Sequence, residues 1–581
     1  MNSSVSGWRS SSATDHPSRL LHPAPPLRDA PPMRTPPENR SRPPVPSSLR
    51  RRVRPLLAVG VTVLALVLPG SAPAGAGPSD TGLKKAIDTI LADSRMTGAT
   101  ASVVVADAVT GERLYQRNAD DRLVPASNTK IVTSIAAMGL LGPEYRFTTD
   151  VLATGRRAGS TLRGDLHLRG GGDPTTLARD YDRLAAAVAA AGITRVSGGL
   201  IADDTRFDRE RLGRNWSADD ESAYYSAQIS PLTVAPDTDY DSGTVIVEAA
   251  PGARAGDRPV VTVTPRTRYV RIDNRGTTVE RGGADTLSIA RGHGGNTVTV
   301  SGSMPVGGGS TKEWTTVWEP TGYAAAVFSD ALARHGVRVG GATVLGRATP
   351  AGARTLASHR SMPLRELLMP LMKLSNNMHA ETLTKAIGYA KAGSGTWGAG
   401  LTAIRGQLRS LGVDTGTLRL TDGSGLSRMN LIPAAQLTRL LLAVREAPWY
   451  PRWVASLPVA CAPERPVGGG LRSRMCGTPA ALNARAKIGS LTGVSSLAGY
   501  VKDAAGRELA FAVVLNNYVA PSVKGVEDAI VVTLARSRTA GTAGTGIAPV
   551  APRPPQGAGA AADSGEVRAE LECVWRKPDT C

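Results

Sequence analysis

Cysteine, lysine and aromatic residues are all scarce in this 581-residue chain. The four cysteines form no C-x₂-C pair and no cluster with histidine, so no zinc or other metal site is expected. Only 11 of the 68 basic residues are lysine. Because arginine stays protonated whereas a desolvated lysine can lose its proton, each lysine is a candidate for chemistry. Aromatic residues make up 4% of the chain, so its cores must consist mainly of Ala, Val and Leu.

Positive charge is in excess, with a formal net charge of +19. Residues 1–78 hold ten arginines and three acidic residues, a net +7, which leaves +12 for the rest of the chain. A basic body suits a polyanionic neighbourhood, such as anionic cell-wall polymers or an anionic membrane surface. Nucleic acid is not expected as a partner, because no basic helix or basic patch interleaved with aromatic residues is present.

An export signal is predicted near the start of the chain. The apolar run at residues 56–68 follows Arg50, Arg51, Arg52 and Arg54 and precedes small residues that offer A-x-A cleavage sites. The run is shorter than the ~20 residues of a membrane helix. No cysteine follows it, which argues against a lipoprotein anchor. We therefore expect a protein that is exported across the cytoplasmic membrane. It is then either secreted or associated with the cell wall or with the outer face of that membrane, and an uncleaved signal anchor is the alternative to a cleaved signal.

Export allows disulfide bonds. The simplest pairing joins Cys461 to Cys476 and Cys573 to Cys581, although the sequence alone permits three pairings.

Ser127-Asn128-Thr129-Lys130 forms an S-x-x-K motif at the start of a predicted helix. Residues i and i+3 share a helix face, so the Lys130 amine can reach the Ser127 hydroxyl. A serine hydroxyl attacks a carbonyl poorly unless a neighbouring base removes its proton, and a desolvated lysine can be that base. The helix N-terminus also offers backbone N–H groups for an oxyanion. Alone, the motif is a weak signal and is better explained as an exposed helical pair.

Two further motifs follow. Ser375-Asn376-Asn377 is an S-x-N between helical stretches, and Lys487-Ile488-Gly489-Ser490 is a K-x-G-S on a predicted strand. The lysine offers positive charge for a carboxylate, and the glycine allows close approach of an extended substrate. Residues 391–394 repeat the K-x-G-S pattern, but they end a helix and enter a Gly-rich loop.

These motifs, in this order on helix, loop and strand, resemble the signature of β-lactamases and penicillin-binding proteins. Ser127 lies 248 residues before Ser375, and this long spacing resembles that of the D-alanyl-D-alanine carboxypeptidases of the penicillin-binding protein 4 type, in which inserted domains separate the first two motifs. Stretches at 168–177, 203–208, 422–428 and 487–501 are similar to the same family, so the resemblance covers about 80–537.

The resemblance implies an α/β (α+β) transpeptidase-like fold, an antiparallel sheet flanked by helices. The predicted catalytic domain is discontinuous, at 79–145 and 311–537, with β-rich inserted domains at 146–310. Residues 1–78 are predicted to be a disordered N-terminus with the signal sequence. Residues 538–581 are predicted to be a low-complexity tail, in which the Cys573–Cys581 disulfide would close a short loop.

The resemblance also implies roles for individual residues. Ser127 is the acylated nucleophile, Lys130 its base, Ser375 the proton shuttle to the leaving amine, and Lys487 the source of positive charge. Backbone N–H groups of Ser127 and Ser490 form the oxyanion hole. Asn376, Asn377, Gly489 and the Ser490 hydroxyl contact the substrate, and no cofactor is needed. Peptidoglycan stem peptides and β-lactam antibiotics are the expected partners.

Ile488 departs from the family pattern, which usually has threonine there to help hold the substrate carboxylate. It favours one alternative, a penicillin-binding wall scaffold that acylates poorly. A β-lactamase is the other alternative, but no E-x-x-x-N-like stretch lies between the second and third motifs to supply a deacylating carboxylate. His379 is predicted to be a packed neighbour of the site, and Asp422 to fix a turn at the cleft.

Overall fold

The computed structural model describes residues 79–538, in which helices pack on the faces of several β-sheets. The helices are α1 (Ser79–Leu91), α2 (Thr129–Leu140), α3 (Ala178–Ala190), α4 (Pro320–Arg334), α5 (Leu364–Lys373), α6 (Asn377–Ala392), α7 (Trp397–Ser410), α8 (Ala434–Ala443), α9 (Tyr450–Ala455), α10 (Arg465–Gly468) and α11 (Lys524–Arg536). The strands are β1 (Thr100–Asp107), β2 (Arg113–Arg117), β3 (Thr148–Ala153), β4 (Arg156–Ala158), β5 (Thr161–Arg163), β6 (Leu166–Gly170), β7 (Arg195–Val196), β8 (Leu200–Asp203), β9 (Thr244–Ala250), β10 (Val260–Thr264), β11 (Arg271–Asn274), β12 (Thr277–Val279), β13 (Ser288–Arg291), β14 (Thr297–Ser301), β15 (Ser303–Pro305), β16 (Thr311–Thr316), β17 (Arg338–Val339), β18 (Thr343–Leu345), β19 (Arg354–Arg360), β20 (Arg485–Leu491), β21 (Val494–Lys502) and β22 (Glu508–Asn516).

The sheet that carries the site is antiparallel, in the order β2-β1-β22-β21-β20, so the first two strands of the described chain join the last three. Its two faces follow from the alternation of side chains along each strand. On β22, Phe511 and Val513 face a core shared with α1 and α11. Ala512 and Val514 face a second core shared with α2, α6 and α8. Helices thus flank the antiparallel sheet, and this architecture confirms the predicted fold class.

The segment between the first two motifs folds around a core of its own. It contains a five-stranded sheet, β18-β8-β6-β3-β19, a four-stranded sheet, β17-β7-β5-β4, and three smaller sheets, with α3 packed on α4. Strands β16 to β19 pair with earlier strands of this segment, β19 with β3 for example. The domain division stays a prediction, but this pairing moves the proposed end of the insertion from residue 310 to about residue 360.

One disulfide, between Cys461 and Cys476, links the loop that precedes β20. The predicted Cys573–Cys581 pair, the export signal and the tail lie outside the described residues. Across residues 79–538, no helix combines the length and the apolar character needed to cross a membrane.

Candidate active site

The first motif lies on a tight turn that leads into α2. Residues Ala126–Asn128 form a 3₁₀ turn, and Ala126 has φ +46°, a left-handed conformation that costs energy in a residue with a Cβ. Gly425, with φ +87°, passes so close that a Cβ on it would lie 1.8 Å from the Ala126 carbonyl oxygen. This packing presents Ser127 at the base of a cleft, where 8% of its surface is exposed.

Lys130 lies one helical turn after Ser127 and is fully buried. Its Nζ lies 2.9 Å from Ser127 Oγ, 2.6 Å from Asn377 Oδ1 and 2.9 Å from the Ser424 carbonyl oxygen. The last two atoms can only accept hydrogen bonds. In its neutral form the Lys130 amine carries one lone pair that can accept a proton, and Ser127 Oγ lies within hydrogen-bonding reach of it. This geometry lets Lys130 take the Ser127 proton.

The second and third motifs meet on the other side of the cleft. Lys487 is fully buried on β20, and its Nζ lies 2.8 Å from Ser375 Oγ and 2.7 Å from the Ile488 carbonyl oxygen. Ser375 itself has φ +57° in the three-residue break between α5 and α6. A second hydroxyl, hydrogen-bonded to a buried lysine amine, therefore lines the same cleft as Ser127.

The structure shows why position 489, two residues after Lys487, is a glycine. A Cβ at this position would lie 2.8 Å from the Ser127 nitrogen and 2.5 Å from Ser496 Oγ, so only glycine lets β20 pass the nucleophile turn. Ser490 is 7% exposed and opposite Ser495 on β21. Its side chain is not part of the cleft lining found over the described residues, so the predicted contact with a substrate carboxylate stays a prediction.

Asn376 and Asn377 connect the second motif to the inserted segment. Asn376 caps α6 by accepting from the His379 N–H, and its Nδ2 donates to the Tyr240 carbonyl at 3.0 Å and to Asp241 Oδ1 at 3.1 Å. Its amide therefore holds a loop in place. Asn376 also lines the cleft, and its predicted contact with substrate stays a prediction. Asn377 Nδ2 donates to the Tyr225 carbonyl at 2.8 Å. The second hydrogen of that amide suits the predicted contact with a substrate carbonyl.

The sequence predictions missed part of the cleft wall. The cleft is lined by Ser127, Tyr224, Tyr225, Asp241, Leu374, Ser375, Asn376, Asn377, Ile488 and Gly489. Tyr224, Tyr225 and Asp241 belong to the inserted segment, and no motif pointed to them. Burial raises the pKa of Tyr224 well above its usual value, so its hydroxyl stays protonated.

Two buried carboxylates, those of Glu381 and Asp422, lie near Lys130. The sequence analysis missed Glu381 and predicted only a turn-fixing role for Asp422. Glu381, one turn after Asn377 on α6, accepts from Trp397 Nε1 at 2.7 Å and from the N–H groups of Gly423 and Ser424 at 2.9 and 2.7 Å. Burial, followed by repulsion from Asp422, raises the pKa of Glu381, and burial raises that of Asp422. The spacing of Glu381, four residues after Asn377, was the sequence signal that could have identified it.

Two lesser predictions agree with the geometry. His379 is fully buried, and its Nε2 lies 2.9 Å from the Tyr240 carbonyl oxygen. Asp422 accepts from the N–H groups of Gly425 and Ser427 and so fixes the turn beside the cleft.

Three carboxylates near the cleft come close enough to suggest a cation, those of Asp237, Asp239 and Asp241. Asp239 forms an ion pair with Arg465 at 2.7 Å, and Asp241 accepts from Asn376. These partners already satisfy part of the charge, and we assign no metal to the cluster.

Comparison with known proteins places this arrangement in a family. Residues 83–537 match the D-Ala-D-Ala carboxypeptidase 3 (S13) family. The chain belongs to that family. The S13 match spans all three motifs, and it confirms the predicted family and the assignment as a D-Ala-D-Ala carboxypeptidase, a serine peptidase.

Individual relatives carry the same activity in their names. The chain is 44% identical over 523 residues to a D-alanyl-D-alanine carboxypeptidase of Actinomadura sp. (strain R39), covering 89% of this chain and 94% of that protein. It is 26% identical over 410 residues to the D-alanyl-D-alanine carboxypeptidase DacB of Haemophilus influenzae, covering 69% and 82%. The crystal structure of penicillin-binding protein 4 (dacB) from Haemophilus influenzae superposes with a TM-score of 0.65 at 24% identity, over 75% of this chain and 94% of that one, and shows the fold.

Proposed function

We propose that this S13 chain removes the terminal D-Ala from peptidoglycan stem peptides through an acyl-enzyme on Ser127. The observation that carries the proposal is the position of Lys130 Nζ, buried and 2.9 Å from Ser127 Oγ. The nucleophile and base are within hydrogen-bonding reach, and Asn377 orients the base in turn.

Acylation follows from these contacts. Ser127 Oγ attacks the carbonyl carbon of the penultimate D-Ala while its proton passes to the Lys130 amine. The N–H groups of Ser127 and Ser490 donate to the oxyanion that develops on the carbonyl oxygen. The C–N bond then breaks, and the Ser375 hydroxyl, supported by Lys487, delivers a proton to the nitrogen of the departing D-Ala.

Deacylation completes the cycle. The proton that Lys130 accepted replaces the one that Ser375 gave to the leaving nitrogen, so the Lys130 amine is neutral again. Water enters the position left by D-Ala, gives a proton to the Lys130 amine, and attacks the ester carbonyl. The ester bond to Ser127 breaks, and Oγ recovers its proton. A peptide crosslink presents the same D-Ala amide with a larger amine as leaving group, so the same residues support DD-endopeptidase action.

β-Lactams are the second proposed class of partner. Ring opening by Ser127 Oγ forms the same ester, but the amine stays tethered to the acyl group and obstructs water. The Haemophilus influenzae penicillin-binding protein 4 has also been solved in complex with a novel β-lactam, at 24% identity to this chain and a TM-score of 0.61. We propose an exported location, which the sequence of residues 1–78 supports, because stem peptides lie outside the cytoplasmic membrane.

The test is acylation by a fluorescent penicillin, followed by intact-mass analysis of the parent and of Ser127→Ala. We expect one stable adduct on the parent and none on the variant, together with release of D-Ala from a D-Ala-D-Ala peptide by the parent alone. An adduct that persists in Ser127→Ala contradicts the assignment of the nucleophile. Rapid turnover of the drug indicates a β-lactamase instead.

A scaffold with weak acylation is the second candidate, because Ile488 replaces the expected threonine. Ile488 is 4% exposed and packs in the core with α1 and α11, although it also reaches the cleft lining. Binding of penicillin without measurable D-Ala release would favour this candidate.

A further inference from the structure

The four-stranded sheet of the inserted segment has one face in the core and one in solvent. Leu162 on β5 and Val196 on β7 are fully buried in the core of the segment. Because successive side chains on a strand point to opposite faces, the residues that alternate with Leu162 and Val196 point outwards.

Arginines dominate the outward face. Arg195 on β7 lies directly beside Arg338 on β17, and Arg156 on β4 lies directly opposite Arg163 on β5. The pairing of Thr161 with Arg195 places both pairs on the same side of the sheet. All four arginines are exposed. We call Arg156, Arg163, Arg195 and Arg338 the arginine face.

Acidic neighbours do not neutralise this face. Within residues 79–538, none of the four arginines has a carboxylate within 4.0 Å, whereas nearby Arg334 pairs with Asp182 and Arg347 with Asp165. Like charges opposite each other on neighbouring strands destabilise a sheet. The uncompensated repulsion indicates that an external anion completes the face.

We propose that the arginine face binds a linear phosphodiester polymer of the cell wall. Four strands spaced by about 4.8 Å spread the guanidinium groups over about 14 Å, which suits repeated charges along a chain better than one small anion. The planar guanidinium fork matches a phosphate group with two hydrogen bonds.

A membrane surface fits the face less well. Besides the arginines, its strands present only Ala158 and Thr161 to solvent, and neither offers the aromatic or long aliphatic side chain that anchors a protein among lipids. The inference rests on the exported location proposed above, but it does not depend on the chemistry at Ser127.

The experiment measures binding of the chain to poly(glycerol phosphate) over a range of salt concentrations. The test variant carries Arg156→Gln, Arg163→Gln, Arg195→Gln and Arg338→Gln. A control variant, matched in charge, carries glutamine at four exposed helical arginines that have no carboxylate within 4.0 Å among the described residues. They are Arg409, Arg439, Arg452 and Arg536.

We expect the test variant to lose roughly 100-fold in affinity and about one unit of salt slope per arginine, while the control variant loses only a few-fold. Acylation of Ser127 by penicillin should remain at the parent rate in both variants, which separates this inference from the proposed activity. Equal losses in both variants would show that net charge alone binds the polymer, and would overturn the proposal. Binding to phosphatidylglycerol vesicles is measured in parallel. If the test variant keeps polymer binding but loses vesicle binding, the face binds a membrane surface and the proposal is overturned.

Discussion

Glu381 tests whether the residues behind Lys130 govern its chemistry. The turn at Gly423 and Ser424 lies between helices α2 and α6. From α2, Thr133 Oγ1 donates to the Gly423 carbonyl at 2.6 Å, and Lys130 Nζ donates to the Ser424 carbonyl at 2.9 Å. Glu381 on α6 accepts both of its N–H groups. Glu381→Gln keeps the size of the side chain but replaces one accepting oxygen with an NH₂ group.

The magnitude follows from the three donors that converge on this carboxylate. Whichever way the glutamine amide is oriented, its NH₂ faces a buried donor, either the Ser424 N–H or the pair formed by the Gly423 N–H and Trp397 Nε1. One buried donor left without an acceptor costs about 1–3 kcal/mol. Because the Ser424 carbonyl helps to orient Lys130, displacement of the turn should slow acylation roughly 10- to 100-fold.

The assay is the second-order rate of acylation by a fluorescent penicillin as a function of pH, with Trp397→Phe as the matched control. That control removes one donor to the same carboxylate but leaves the Gly423 and Ser424 contacts intact. Since burial and Asp422 raise the pKa of Glu381, its protonation should reduce the parent's rate as pH falls, and Glu381→Gln should lack this acidic limb. If Glu381→Gln acylates at the parent rate with the parent's pH profile, the positioning argument is wrong.

Three further predictions concern other parts of the chain. Ile488→Thr should lower KM for a D-Ala-D-Ala peptide roughly tenfold if the threonine hydroxyl binds the carboxylate, and an unchanged KM would argue against that contact. Replacing Cys461 and Cys476 by serine should lower the free energy of unfolding by about 3 kcal/mol in denaturant titrations, because the bond closes a loop with a sequence separation of 15. Burial lowers the pKa of Lys373 to about 8, below its ordinary 10.5, so the folded protein loses this proton first. The free energy of unfolding should therefore rise by about 3 kcal/mol between pH 8 and 10.5, and Lys373→Met should abolish that rise.

The motifs were predictable because local spacing determines them. Ser127 and Lys130 share a helix face, and Lys487 and Gly489 share a strand face, so both pairs could be read before any tertiary structure was known. The positions of β19 and Tyr225 could not be predicted from the sequence, because each depends on pairing or contact with residues distant along the chain. Strand pairing of this kind leaves no local periodicity that would indicate the partner.

The inserted segment takes part in building the site. The Tyr225 carbonyl accepts from Asn377, and the Tyr240 carbonyl and Asp241 accept from Asn376, so both amides of the second motif are held by the insertion. Asn377 in turn accepts from Lys130 Nζ. A chain of hydrogen bonds therefore runs from the insertion to Lys130, the proposed base. The insertion therefore supplies the acceptors that hold the two asparagines of the second motif, and through Asn377 it also influences the position of Lys130.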